Sequence, residues 1–283
     1  MTVATRQQSL FPAEPGPLFG SREAKAADPL PVLHLIDVRF DQRRFWQALR
    51  HDGRKMPDWD LGYALHSALT GLFGPTHAPK PFHALPPRPG ETTLRAVGQL
   101  ALDPAGVERA VAQGPAAWTR ALAEPVRTLA MPSGAALAGR TLAFGLRARP
   151  TVRRHKLVGG KEHDLELDAY QTECEHEAPD ARRSRVQVYE RWLAEQLQRD
   201  GACRVREVQV AGWQLTPVYR KAGAVRGQDG ARRGTANLTL PQADFTGVLE
   251  VLDADRFQAL LARGVGRHRA FGFGMLRLGR PGA

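Results

Sequence analysis

The chain has 283 residues, and its 40 Lys and Arg outnumber its 29 Asp and Glu to give a formal net charge of +11 and a sequence pI near 10.4, so a polyanionic partner is expected. No apolar run approaches the roughly 20 residues that cross a bilayer, and the first residues lack the apolar core of a signal peptide; a cytoplasmic protein without a membrane partner is expected. Cys174 and Cys203 form no CxxC pair or series of ligand-spaced cysteines, which argues against a disulfide framework and a zinc finger.

Taken in order, residues 1–31 are rich in Pro, Gly, Ala and polar side chains without a sustained period, and read as a disordered extension. Residues 32–40 alternate loosely and read as a first strand. Helices follow at 43–51 and 59–73, the second capped by Asp58 or Asp60. At about 100° per residue, Leu61, Leu65, Ala68, Leu69 and Leu72 gather on one side of that helix, leaving Tyr63, His66 and Thr70 on a face that need not be buried. Strands at 82–85 and 93–100, a helix from Pro104 behind the cap Asp103, and a strand near 126–131 complete a β-α-β-β-α-β order. A second round follows: strand 141–149, helix 184–199, strand 204–213, a strand within 237–252 interrupted by Pro241, helix 255–262 and a closing strand 271–278. The expected fold class is therefore α+β, two tandem ferredoxin-like (RRM-like) βαββαβ domains at 32–132 and 140–283.

Three stretches depart from regular structure. Arg147, Arg149, Arg153, Arg154, His155 and Lys156 form a dense cationic segment. The insert at about 157–181 is acidic; His163, Cys174 and His176 lie in it without ligand spacing on an evident helix, so it reads as a solvated loop and no metal site is expected. Arg220, Lys221, Arg226, Arg232 and Arg233 lie in a Gly-rich stretch between two strands, suited to follow a phosphate backbone.

Near the C-terminus, 264–274 reads GVGRHRAFGFG, with Gly264, Gly266, Arg267, His268, Arg269 and Gly272 among its residues. Glycines free the backbone for close approach, and cations among them attract an oxyanion. The order helix, glycine loop, strand is the reverse of a dinucleotide-binding turn. This loop resembles the glycine-rich signature of the CRISPR repeat endoribonucleases, and with Arg267, Ala270, Phe271 and Gly272 it is most similar to the CasE branch of type I-E systems. The Tyr63/His66 spacing is similar to the CasE pattern as well, in which such a pair on the first helix lines the cleavage site. The resemblance spans roughly 32–280 and implies tandem ferredoxin-like domains, and a CRISPR repeat stem-loop cut at its 3′ base with the product retained in a multi-subunit effector complex. Processing in a type IV system and non-catalytic hairpin binding are the alternative readings.

The corresponding chemistry is attack by the RNA's own 2′-hydroxyl, which needs proton transfers and a cation near the phosphate but no metal or cofactor. His66 is expected to move a proton, with Tyr63 orienting the 2′-hydroxyl or sharing that transfer. Arg149, Arg153 and Lys156 are the candidates for the cation. RNA contacts are expected from Arg147, Arg149, Arg153, Arg154, the 220–233 stretch and the 264–274 loop.

Overall fold

The structure, a computed structural model, describes residues 32–51, 60–85, 87–158, 161–175, 177–178, 181–218 and 238–281, with the backbone alone at 155–158, 161–164, 218 and 238. The N-terminal extension 1–31 and the basic stretch carrying Arg220, Lys221, Arg226, Arg232 and Arg233 lie outside the described residues.

The first half runs β1 (His34–Asp41), α1 (Gln42–His51), α2 (Leu61–His77), β2 (Phe82–Leu85), β3 (Thr93–Leu100), α3 (Pro104–Gln113), α4 (Ala116–Ala121) and β4 (Arg127–Ala130). Its strands form an antiparallel sheet in the order β2-β3-β1-β4. Alternation on β1 turns Ile36, Val38 and Phe40 inward, where they meet Phe45, Leu65, Leu69 and Trp118 of the covering helices. Asp60 starts α2 by accepting the Tyr63 backbone N–H at 2.9 Å, and Gly74, with φ of 74°, kinks its last turn ahead of Pro75.

After α5 (Gly134–Leu137), the second half runs β5 (Thr141–Ala148), β6 (Thr151–Val158), β7 (Lys161–Asp168), α6 (Ala169–Cys174), α7 (Arg185–Gln198), β8 (Cys203–Val218), β9 (Leu238–Val251), α8 (Ala254–Arg263) and β10 (Arg277–Gly279). Its main sheet has the order β10-β5-β9-β8, the same connectivity as the first sheet once the β6/β7 hairpin is set aside. Ser184 and Gln187 form a capping box on α7, whose Tyr189, Trp192 and Leu193 pack on Phe144, Phe245 and Leu249. Two sheets of ferredoxin-like connectivity, each under its own helices, therefore match the expected fold class.

Three expectations are corrected. The acidic insert is not a solvated loop: β7 pairs antiparallel with the cationic β6, setting Arg153 opposite Glu166 and His155 opposite Asp164, and α6 follows directly. The acidic run is thus a strand paired along the basic one, with the opposite charges of Arg153 and Glu166 facing each other. Pro241 does not interrupt β9, because β5 ends with Ala148 opposite Ala243, and beyond that point β9 pairs with β8 only. The closing strand is shorter than 271–278: Arg269–Phe271 form a 3-10 turn, Gly272 and Gly274 take φ of 87° and 78°, and extended structure resumes only at Arg277.

Candidate functional site

Tyr63 and His66 lie one turn apart near the start of α2, both half-buried. The face they share meets the glycine loop of the other half. The Tyr63 and Phe271 rings are parallel, with centroids 5.6 Å apart, and the His66 ring meets Phe271 edge-on at 5.1 Å. The contact is close because residue 62 is glycine. A Cβ there would stand 2.2 Å from the Phe271 carbonyl oxygen.

The loop between α8 and β10 is fixed at both ends. Val265 N–H donates to the Gly274 carbonyl, and Gly274 N–H to the Arg147 carbonyl, each at 2.8 Å. Gly264 and Gly272 are buried and face the first half: a Cβ at Gly264 (φ 72°) would meet Pro81, and one at Gly272 would lie 3.1 Å from the Ala84 Cβ. Gly266 instead stands against the Trp192 ring. The glycines thus let one half approach the other.

His268, in left-handed conformation with φ of 59°, places Nε2 2.8 Å from the Glu166 carboxylate. Glu166 also accepts from the Thr151 hydroxyl at 2.8 Å and has Arg267 at 3.6 Å. Burial alone would raise the Glu166 pKa, but the His268 hydrogen bond and charge, with Thr151 and Arg267, outweigh it and hold the carboxyl at about 2. The hairpin and the loop are thereby tied together. Arg269 donates to the Arg263 carbonyl, across the loop's own base.

The cations of the middle segment divide. Arg147 grips Asp244 with Nε at 2.8 Å and Nη2 at 3.2 Å, and reaches the Ala84 carbonyl at 3.4 Å. Arg149 is buried; it donates to the Thr216 hydroxyl at 3.0 Å and the Leu240 carbonyl at 3.3 Å and lies 4.4 Å over the Phe273 ring. Burial, only partly offset by Asp60 and Glu166, lowers its pKa to about 10. Both arginines are thus engaged inside the protein. Arg153 is exposed, and Arg154 pairs with Glu175 at 2.7 Å. Lys156 lies on β6 opposite His163, its side chain outside the described atoms. Beside the Tyr63/His66 pair is a cavity of about 260 Å³ whose lining includes Asp60, Gly62, Arg149, Gln214, Gln242 and Phe271. Phe271 was visible in the loop motif as a signature residue but not as a ring partner; Glu166, one acid in an acidic run, had no distinguishing signal.

The class defined here is a tandem ferredoxin-like protein with a helix-borne Tyr/His pair against a cationic glycine loop. The profile of the CRISPR associated protein family matches residues 33–280, and the chain belongs to that family. Among solved structures, the CRISPR endoribonuclease Cse3 bound to a 19-nucleotide RNA is similar with a TM-score of 0.55 at 22% identity, over 88% of this chain and 100% of that one. Cse3 of Thermus thermophilus, bound to an RNA representing a pre-cleavage complex, gives 0.51 at 21% identity over 88% and 99%. At these identities the likeness establishes the fold. No curated protein matches the chain.

Proposed function

We propose that this protein is a metal-independent endoribonuclease of the CasE kind, which binds a CRISPR repeat hairpin and cuts the precursor at the 3′ base of the stem. The reading rests above all on the Tyr63/His66 pair held against Phe271 of the glycine loop in a member of a CRISPR associated family. Cleavage proceeds by attack of the substrate's 2′-hydroxyl on the adjacent phosphorus, leaving a 2′,3′-cyclic phosphate and a 5′-hydroxyl. His66 transfers a proton, a step for which the imidazole side chain is suited near neutral pH. Tyr63 orients the attacking hydroxyl. Arg149, Arg153 and Lys156 are the candidates for the cation beside the phosphate; the Arg147 guanidinium, held by Asp244 and the Ala84 carbonyl, acts as a positioning residue. Arg153, Arg154, Arg267, Arg269 and the 220–233 stretch supply backbone contacts, the product stays bound, and the RNA-loaded protein joins other subunits of an effector complex.

The test is cleavage of candidate repeat hairpins in EDTA. Wild-type protein should cut, and His66→Ala should lose roughly 10²-fold or more in rate with hairpin affinity little changed. Activity that disappears with the chelator, or that survives intact in His66→Ala, removes this mechanism.

A further inference from the structure

Gln214 on β8 and Gln242 on β9 are directly opposed across the strand pair, so their side chains share one face of the sheet. Both line the cavity that also includes Asp60 and Gly62 at the start of α2 and Phe271, the ring that Tyr63 and His66 contact. The other polar side chains of this wall are already used: Arg149 donates to Thr216, and Arg147 to Asp244. Neither glutamine amide has a hydrogen-bond partner among the described residues.

From this arrangement we infer that the cavity is a base-reading pocket, taking one unstacked nucleobase next to the bond that is cut, with Gln214 and Gln242 as the residues that select it. This rests on the cleavage reading above. Each amide offers a donor and an acceptor in one plane, the pattern that matches a base edge, and single-stranded RNA is read through the edges of bases turned out of the stack. At about 260 Å³ the space falls just below the roughly 300 to 1,000 Å³ of drug-sized ligand sites, in keeping with a single ring system. Phe271 and Phe273 on the lining give the ring an apolar wall.

The experiment uses the full chain and a set of repeat hairpins carrying each of the four bases, or an abasic nucleotide, on either side of the cut. At one of the two positions wild type should favour one base over the others by roughly 5-fold to 100-fold in cleavage rate, with the abasic RNA among the poor substrates. Gln214→Ala and Gln242→Ala should bring that ratio towards one, and Gln242→Glu, which exchanges a donor for an acceptor, should move the preference to another base. Equal cutting of all five RNAs at both positions, or an unchanged ratio in the alanine variants, overturns the pocket while leaving the nuclease reading intact. Should wild type cut none of them, the nuclease reading fails, and the same hairpins with a 2′-deoxy nucleotide before the cut still decide the pocket by affinity: base-dependent binding lost in the glutamine variants supports it, and base-independent binding overturns it.

Discussion

His83 shows how a single side chain reports on the junction between the halves. It is 3% exposed on β2, and burial, helped by the charges of Arg277 and Arg147, pushes its pKa down to about 4. Its ordinary value is about 6.5, so the unfolded chain binds the proton more readily than the folded one. The stabilisation is complete above pH 6.5 and is lost as pH falls towards 4, up to about 3 kcal/mol for a shift of this size. Thermal melts across that window should fall steeply for wild type and less steeply for His83→Gln; parallel curves would mean that the imidazole is not held neutral. None of this was legible in the sequence, because a histidine in a four-residue strand carries no sign of what covers it. Helical spacing set Tyr63 and His66 on one face, and it took the resemblance carried by the 264–274 loop to single them out as a candidate pair. Their ring partner was not legible, since Phe271 reaches them only through the fold.

At the scale of elements, hydrophobic period and caps located most of the secondary structure. Asp103 before Pro104 marked a helix start in the right place, α7 falls within the expected 184–199, and β2 and β3 have the expected bounds. Charge misled at the insert: acidity suggested solvation, whereas β7 uses it to face β6 and to bury Glu166 and Asp168 beside partners. The glycine loop offers the sharpest element-level test. Gly272→Val puts a β-branched residue at φ of 87° and 3.1 Å from Ala84, and strain of this kind costs about 1 to 3 kcal/mol, so its Tm should drop. Arg267→Ala removes a half-exposed cation 3.6 Å from the buried Glu166 carboxylate, which keeps its hydrogen bonds to His268 and Thr151. It should melt close to wild type and bind hairpin RNA more weakly. The reverse pattern, an unfolded arginine variant and an unaffected valine one, would mean that the loop is held by charge and not by its backbone path.

For the whole molecule, the net charge of +11 and the basic run between β8 and β9 bear on affinity. Replacing Arg220, Lys221, Arg226, Arg232 and Arg233 by neutral residues should weaken hairpin binding and flatten the log–log dependence of affinity on salt by about 0.7 to 0.9 for each phosphate that is no longer neutralised; an unchanged slope would take that stretch out of the interface. The tandem architecture was legible because the β-α-β-β-α-β order repeats along the chain. How the halves meet was not, since that depends on the absent side chains at Gly62 and Gly272. Those two close approaches, one glycine from each half lying against the backbone or Cβ of the other, bind the parts into a single inheritance. A chimaera that takes one half from a relative must bring α2 and the 264–274 loop from the same parent, because a methyl group added on either side closes the gap into which the other fits.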